Sequence, residues 1–251
     1  MIFRRCRRAV ALAWALLNCR VNYIAMRLRG PMTPERRAVW LRSACRGVLN
    51  SLDIQFAVNG TPARSGLVVS NHLSYLDILI YSAAMPCVFV SKIEVNRWPY
   101  FGAAARAGGT IFIDRRSRAS AAAVAVEIGE RLTHAVPVLV FPEGTSTDGA
   151  SVLHFHAGLF EPAIKSHAPV TAAAVRYTIG CEIPESELCW YSDAPFLPHL
   201  WKALGAPNFR AEVTFAESRV FADRRAAALG THGEVVRMRD AAVSDAHCVS
   251  S

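Results

Sequence analysis

Lysine is scarce in this 251-residue chain, standing only at positions 92, 165 and 202, so arginine carries most of the formal net charge of +8. The arginines are scattered or N-terminal and do not alternate with aromatics along one face, which argues against a nucleic-acid partner. Charged residues are also few, 19% against 52% apolar. A basic, apolar chain suits an anionic membrane surface or a phosphate-bearing substrate. None of the seven cysteines forms a C-x-x-C pair or a regular spacing. That excludes a zinc ribbon and a disulfide framework and fits a reducing compartment. No uninterrupted apolar run approaches the roughly 18 to 20 residues needed to cross a bilayer comfortably. After the apolar stretch Ala9 to Leu17 stand Asn18, Cys19 and Arg20 in place of a small-x-small cleavage site, against a secretory signal. Internal repeats and low-complexity linkers are missing as well.

Within the N-terminal segment, Val10, Trp14, Leu17, Val21, Ile24 and Leu28 recur at steps of four and three, one stripe of a helix flanked by Arg20 and Arg27. Such a helix suits a membrane interface, with arginines reaching the headgroups, better than burial on its own domain. "GPMTPERRAVW" then ends the first helix at Gly30 and Pro31 and starts a second, with Thr33 as N-cap and Pro34 at its first position. Residues 1–52 read as a two-helix membrane-associated appendage and residues 53–251 as the main domain. There, "DIQFAVNG", "LVVSN", "CVFVSK", "TIFIDR", "VPVLVFPEG", "VTAAAVRY" and "FRAEVTFAE" have strand composition, and helical stretches alternate with most of them. The expected fold is α/β, a mixed, largely parallel central sheet flanked by helices on both faces. The tail from Asp223, carrying Gly230 and Gly233, reads as two short helices.

Three stretches at expected strand ends carry polar chemistry: "SNHLSYLD", "FIDRRSR" and "FPEGTSTDG". Open α/β sheets gather their sites at that edge. Ser74 and Asp77 form an S-x-x-D box able to cap a helix without any catalysis. That does not explain His72. Just outside the positive end of a helix, its neutral form is favoured, as a general base requires. Asp77, one turn on, can fix the ring tautomer as a carboxylate does in nucleophilic triads. No internal nucleophile accompanies the pair, because "GTSTD" at 144–148 fails the G-x-S-x-G pattern. The proton must come from a bound hydroxyl or water. His154 and His156 form the other close histidine pair, without a carboxylate at ligand spacing, so no metal is expected. Arg115 and Arg116 could take an anionic headgroup, and Gly144, Thr145, Ser146 and Thr147 could approach a phosphate or an oxyanion.

In this order the blocks resemble the glycerolipid acyltransferase family, of the bacterial 1-acyl-sn-glycerol-3-phosphate acyltransferase type, over about residues 65–180. "NHLSYLD" fits N-H-x-x-x-x-D, "SKIEVNRWPYFGAAARAGGTIFIDR" fits the block containing K-x-E, P-x-x-G and G-x-x-F-I-x-R, "FPEGTS" fits F-P-E-G-T-R, and "APVTAAAV" stands where a proline-valine strand lies. The resemblance implies transfer of a fatty acyl group from coenzyme A or acyl carrier protein to a lysolipid hydroxyl at a membrane surface, on the cytoplasmic face of the inner membrane, by a monotopic or peripheral enzyme. It implies His72 as base, Asp77 as its orienting partner, Arg115 and Lys92 on the acceptor phosphate, and Glu143 and Gly144, with Thr145 and Ser146, around the acceptor. No cofactor beyond the acyl donor is implied. The acceptor indicated first is 1-acyl-sn-glycerol-3-phosphate. Ser146 stands where the family usually has arginine, and the following Thr-Asp-Gly is similar to the pattern of lyso-ornithine lipid acyltransferases, which makes that lipid the alternative acceptor. A lipid-binding protein without catalysis is the alternative of another class; its mark would be a broken N-H-x-x-x-x-D block.

Overall fold

A computed structural model of the chain describes residues 2–114, 118–180 and 183–248. All seven strand-like segments form strands: β1 (Gln55–Asn59), β2 (Leu67–Ser70), β3 (Val88–Lys92), β4 (Ile111–Ile113), β5 (Val138–Val140), β6 (Val170–Ile179) and β7 (Phe209–Phe215). They make one sheet in the order β1-β7-β6-β2-β5-β3-β4, parallel throughout except for the antiparallel β6–β7 pair. The fold is the mixed, largely parallel α/β sheet expected.

Apolar residues run without alternation in the middle strands because both faces are covered. Val68 of β2 points into a core shared with Leu139, Val175 and Val213, whereas its neighbours Leu67 and Val69 point into another with Val138, Val140 and Val170. All four β2 residues are fully buried. Helices α2 (Pro34–Ser51) and α3 (Leu76–Ala84) cover the first face through Cys45, Val48, Leu49, Leu76 and Ile80. The second is covered by α5 (Arg118–Leu132) and α8 (Arg224–Cys248), through Val124, Ile128, Ala227, Ala228 and Val235. Between them in sequence lie α4 (Phe101–Gly108), α6 (Glu161–Lys165) and α7 (Phe196–Ala203).

The N-terminal pair divides in character. Thr33 caps α2 as expected, its hydroxyl accepting from Arg36 N at 3.3 Å, but α2 then shares the core of the sheet domain. Helix α1 (Ile2–Leu28) lies outside. One side of it, with Leu12, Ala15, Leu16 and Cys19, packs toward the core, and the Trp40 indole donates to Cys19 O at 3.1 Å. The opposite side is the stripe read from the sequence, and it faces solvent: Val10 is 71% exposed, Trp14 65% and Leu28 83%. Helix α1 is 27 residues long, and over its most apolar 18-residue stretch, with a mean hydropathy of 1.3, it is long and apolar enough to cross a membrane, although its apolar runs are interrupted.

The tail differs from expectation. One 25-residue helix, α8, replaces two short ones. Asp223 caps it, accepting from Arg225 N and Ala226 N at 2.8 and 2.9 Å. Interior glycines cost about 1 kcal/mol each relative to alanine, and burial of Ala227, Ala228 and Val235 against the sheet outweighs that. Two other glycines are conformationally required. Gly109 ends α4 at φ +83°, and a side chain on Gly102 would stand 2.2 Å from Asn96 O, where α4 meets the turn 93–97.

Candidate active site

Strands β2, β5, β3 and β4 are consecutive and parallel, so the segments leaving them emerge along one edge of the sheet. The first begins at Asn71. Its side-chain amide donates to Val175 O at 3.0 Å and its Oδ1 accepts from Val175 N at 2.9 Å. This side chain takes the place of a strand backbone, so β6 stays hydrogen-bonded while the main chain turns out of the sheet.

His72 follows, with Nδ1 2.7 Å from Asp77 Oδ2. The same oxygen accepts from Leu73 N at 2.7 Å and Ser74 N at 3.1 Å, and Oδ1 accepts from the Tyr177 hydroxyl. Asp77 has no solvent exposure. A carboxylate in the first turn of α3 is favoured by the helix dipole, and four donors from three directions fix its orientation before any substrate arrives. The expected capping box forms in part. Asp77 returns its bond to Ser74 N, but Ser74 Oγ accepts only a long 3.4 Å contact from Leu76 N, and Tyr75 occupies the N-cap position without a side-chain cap. The carboxylate has become the cap. The His72 ring stacks on Phe141, centroids 4.0 Å apart and planes at 13°, and its side chain keeps 20% exposure. With Nδ1 on Asp77, Nε2 is the nitrogen left for a ligand.

The second segment, after β5, is knitted to the first. Glu143 accepts from His72 N at 2.7 Å through Oε1 and from Leu153 N at 2.8 Å through Oε2. Burial pushes its carboxyl up to about 7, against the opposing pull of those two N–H donors. Thr147 N donates to His72 O at 2.9 Å and Trp190 N to Leu73 O at 2.8 Å. Ser146 Oγ donates to Trp190 O at 2.5 Å. From the far side, Arg239 of α8 donates to Gly149 O at 2.6 Å and pairs with Glu185 at 2.7 Å, while Glu185 accepts from Tyr177 N at 2.6 Å.

A cleft of about 660 Å³ opens at this edge. His72, Lys92, Glu143, Gly144, Thr145 and Ser146 line it, and Asp77 stands behind His72. Arg115 lies outside the described residues. Ile78, Val90, Phe141, Leu159, Trp98 and Trp190 give the cleft a largely apolar wall. An aromatic cluster backs that wall, with Trp98 5.1 Å and Tyr75 4.9 Å from Phe196 by ring centroids. Among the described residues, no cleft-lining hydroxyl or thiol is hydrogen-bonded to the His72 ring, and no group of three metal-ligating side chains occurs.

Sequence reasoning missed Asn71, Tyr177, Trp190 and Arg239. Asn71 was legible as the first residue of the N-H-x-x-x-x-D block, but not its role in holding β6. The others come from β6, the segment after it and α8, and nothing in their local pattern announces a contact with residues 71–77.

The Acyltransferase family model matches residues 54–176. Over 216 residues the chain is 38% identical to a lyso-ornithine lipid O-acyltransferase of Rhodobacter capsulatus, spanning 82% of this chain and 76% of that protein. The chain belongs to the acyltransferase family. This acyltransferase is also 38% identical over 181 residues to a 1-acyl-sn-glycerol-3-phosphate acyltransferase of Neisseria meningitidis, covering 70% of this chain and 69% of that one. Its fold matches the crystal structure of the 1-acyl-sn-glycerophosphate acyltransferase PlsC of Thermotoga maritima with a TM-score of 0.67, over 94% and 96% of the two chains, at 18% identity.

Proposed function

We propose that this acyltransferase moves a fatty acyl group from a thioester of coenzyme A or acyl carrier protein to the free hydroxyl of a lysolipid. The observation that carries this reading is the buried Asp77 held on Nδ1 of a His72 that still opens into the cleft. The acceptor hydroxyl donates to His72 Nε2. As it attacks the thioester carbonyl, the imidazole takes its proton and Asp77 stabilises the imidazolium. The tetrahedral intermediate then expels the thiolate, which receives the proton back from His72. The Ser146 hydroxyl is engaged by Trp190 O, which supports direct transfer without an acyl-enzyme. Glu143 acts by tying residues 72 and 153 together. The acyl chain has the apolar wall to lie against.

The acceptor indicated first is 1-acyl-sn-glycerol-3-phosphate, its phosphate facing Lys92, which stands at the end of β3 on the cleft; Arg115 is the second cation that the family resemblance assigns to it. A specific observation favours lyso-ornithine lipid as the second reading. Ser146 supplies no cation and its hydroxyl is taken, while the Glu94 carboxylate lines the same cleft and suits an ammonium headgroup. At the membrane, the exposed stripe of α1 lies in the interface, because its other side is docked on the domain and is not free for lipid. The Tyr100 hydroxyl, which donates to Leu16 O, ties that helix to the segment that follows the cleft-lining Trp98.

Purified protein offered both lysolipids with each donor, and read by mass spectrometry of the products, tests the reaction. His72→Ala is expected to lose about 10² to 10⁴ in rate. Near-normal transfer by a folded variant rejects the mechanism. Deletion of residues 2–28 is expected to release the protein from membranes, and unchanged partitioning rejects the anchor.

A further inference from the structure

A second cleft, of about 360 Å³, lies at the start of α1 and shares no lining residue with the first. Arg4, Arg7 and Arg8 line it with Asp53, Gln55 and Asn208. Three guanidinium groups face one carboxylate, a formal excess of two positive charges. The carboxylate is already occupied. Asp53 Oδ2 accepts from Arg7, and Arg8 Nε stands 3.7 Å away, within ion-pair range but beyond a hydrogen bond. Arg8 is only 4% exposed, and Nη1 is spent on Ala206 O at 2.7 Å and Leu204 O at 3.4 Å. Arg8 Nε is buried without a hydrogen-bond partner, and so is Arg4 Nε. Buried cations are seldom left with unmatched charge, and a tetrahedral oxyanion in the cleft supplies the missing charge and acceptors for the planar guanidinium groups that line it.

We propose that this cleft binds a phosphate group, and that its source is an anionic lipid headgroup. The placement on α1 supports the lipid. At about 100° per residue, Arg7 lies beside Trp14 on the helix surface, so the arginine arc borders the exposed stripe of Val10, Trp14 and Leu17. A lipid whose chains lie along that stripe brings its phosphate to the arginines. The cleft is a headgroup site apart from the catalytic one, and it fixes how α1 sits on the membrane.

The test uses the full chain and vesicles of phosphatidylcholine alone or with phosphatidylglycerol, read by co-sedimentation. Arg4→Gln/Arg7→Gln is expected to lose about fivefold per arginine of the phosphatidylglycerol-dependent binding, with binding to neutral vesicles unchanged. Asp53→Asn, which removes the competing carboxylate, is expected to strengthen it by a similar factor. Arg4→Lys/Arg7→Lys keeps the charge and removes the planar forks, so it too is expected to bind less well. If the lysine variant binds like the wild type, the attraction is diffuse and the site is refuted. In a second arm, inorganic phosphate is compared with chloride at equal ionic strength by thermal unfolding, and phosphate is expected to stabilise the wild type more than the glutamine variant. A response in this arm, with vesicle binding indifferent to the arginines, assigns the cleft to free phosphate and overturns the lipid source. No response in either arm overturns the site altogether.

Discussion

Asp77→Asn isolates the charge of the orienting carboxylate from its shape. Asp77 accepts four hydrogen bonds, three of them on Oδ2. An asparagine with its oxygen in the Oδ2 position keeps the bonds from His72, Leu73 and Ser74, and the Tyr177 hydroxyl can rotate to accept from the new amide. Stability should therefore fall by about 1 to 3 kcal/mol, the range for a disturbed buried hydrogen bond. In a chain of this size that is a drop of roughly 2 to 12 °C in unfolding temperature. Catalysis should suffer far more. A hydrogen bond to a charged partner is worth about 1.5 to 3 kcal/mol, which sets a lower bound of about tenfold in rate. We expect kcat lower by about 10 to 10², with KM changed little because Asp77 does not line the cleft. The assay is product lipid by mass spectrometry under saturating thioester, with circular dichroism to verify the fold. A folded variant that keeps kcat within about threefold of the wild type refutes the His72–Asp77 mechanism.

Tyr177→Phe removes the donor on Asp77 Oδ1 and leaves the cleft untouched. Its kcat should fall about tenfold with KM unchanged, because Asp77 and with it the His72 ring lose a fixed orientation; a kcat within about threefold of the wild type means that the tyrosine does not position the pair. Lys92→Gln should raise KM about tenfold for lysophosphatidate and little for lyso-ornithine lipid, and equal effects on both acceptors count against a phosphate contact. Burial raises the Glu143 carboxyl from 4.5 to about 7. The folded state then holds that proton more tightly than the unfolded one, so the stability it contributes is full below about pH 4.5 and is lost as pH rises toward 7. The unfolding temperature of the wild type minus that of Glu143→Gln should therefore decline over that window, and a flat difference contradicts the shift.

The seven strands, the α/β class and the exposed face of α1 were legible in the sequence because each is a local pattern. Runs of Val, Ile and Phe bounded by turn residues, and a stripe at helical spacing, are complete within one segment. The His72–Asp77 pair was legible for the same reason, since five residues around a helix start bring the two side chains together whatever the rest of the chain does. Tertiary structure decided the rest. Lys92, Glu143, Ser146 and His72 come to one cleft because β3, β5 and β2 are neighbours in a parallel sheet, an order that adjacency in sequence does not contain. Tyr177 reaches Asp77 across 100 residues, and Arg8 loses its water only where α1 docks on residues 204–206. Single-helix continuity across Gly230 and Gly233 was settled by burial against the sheet, which outweighs local propensity. Local chemistry named the groups, and the packing of distant segments set which of them meet.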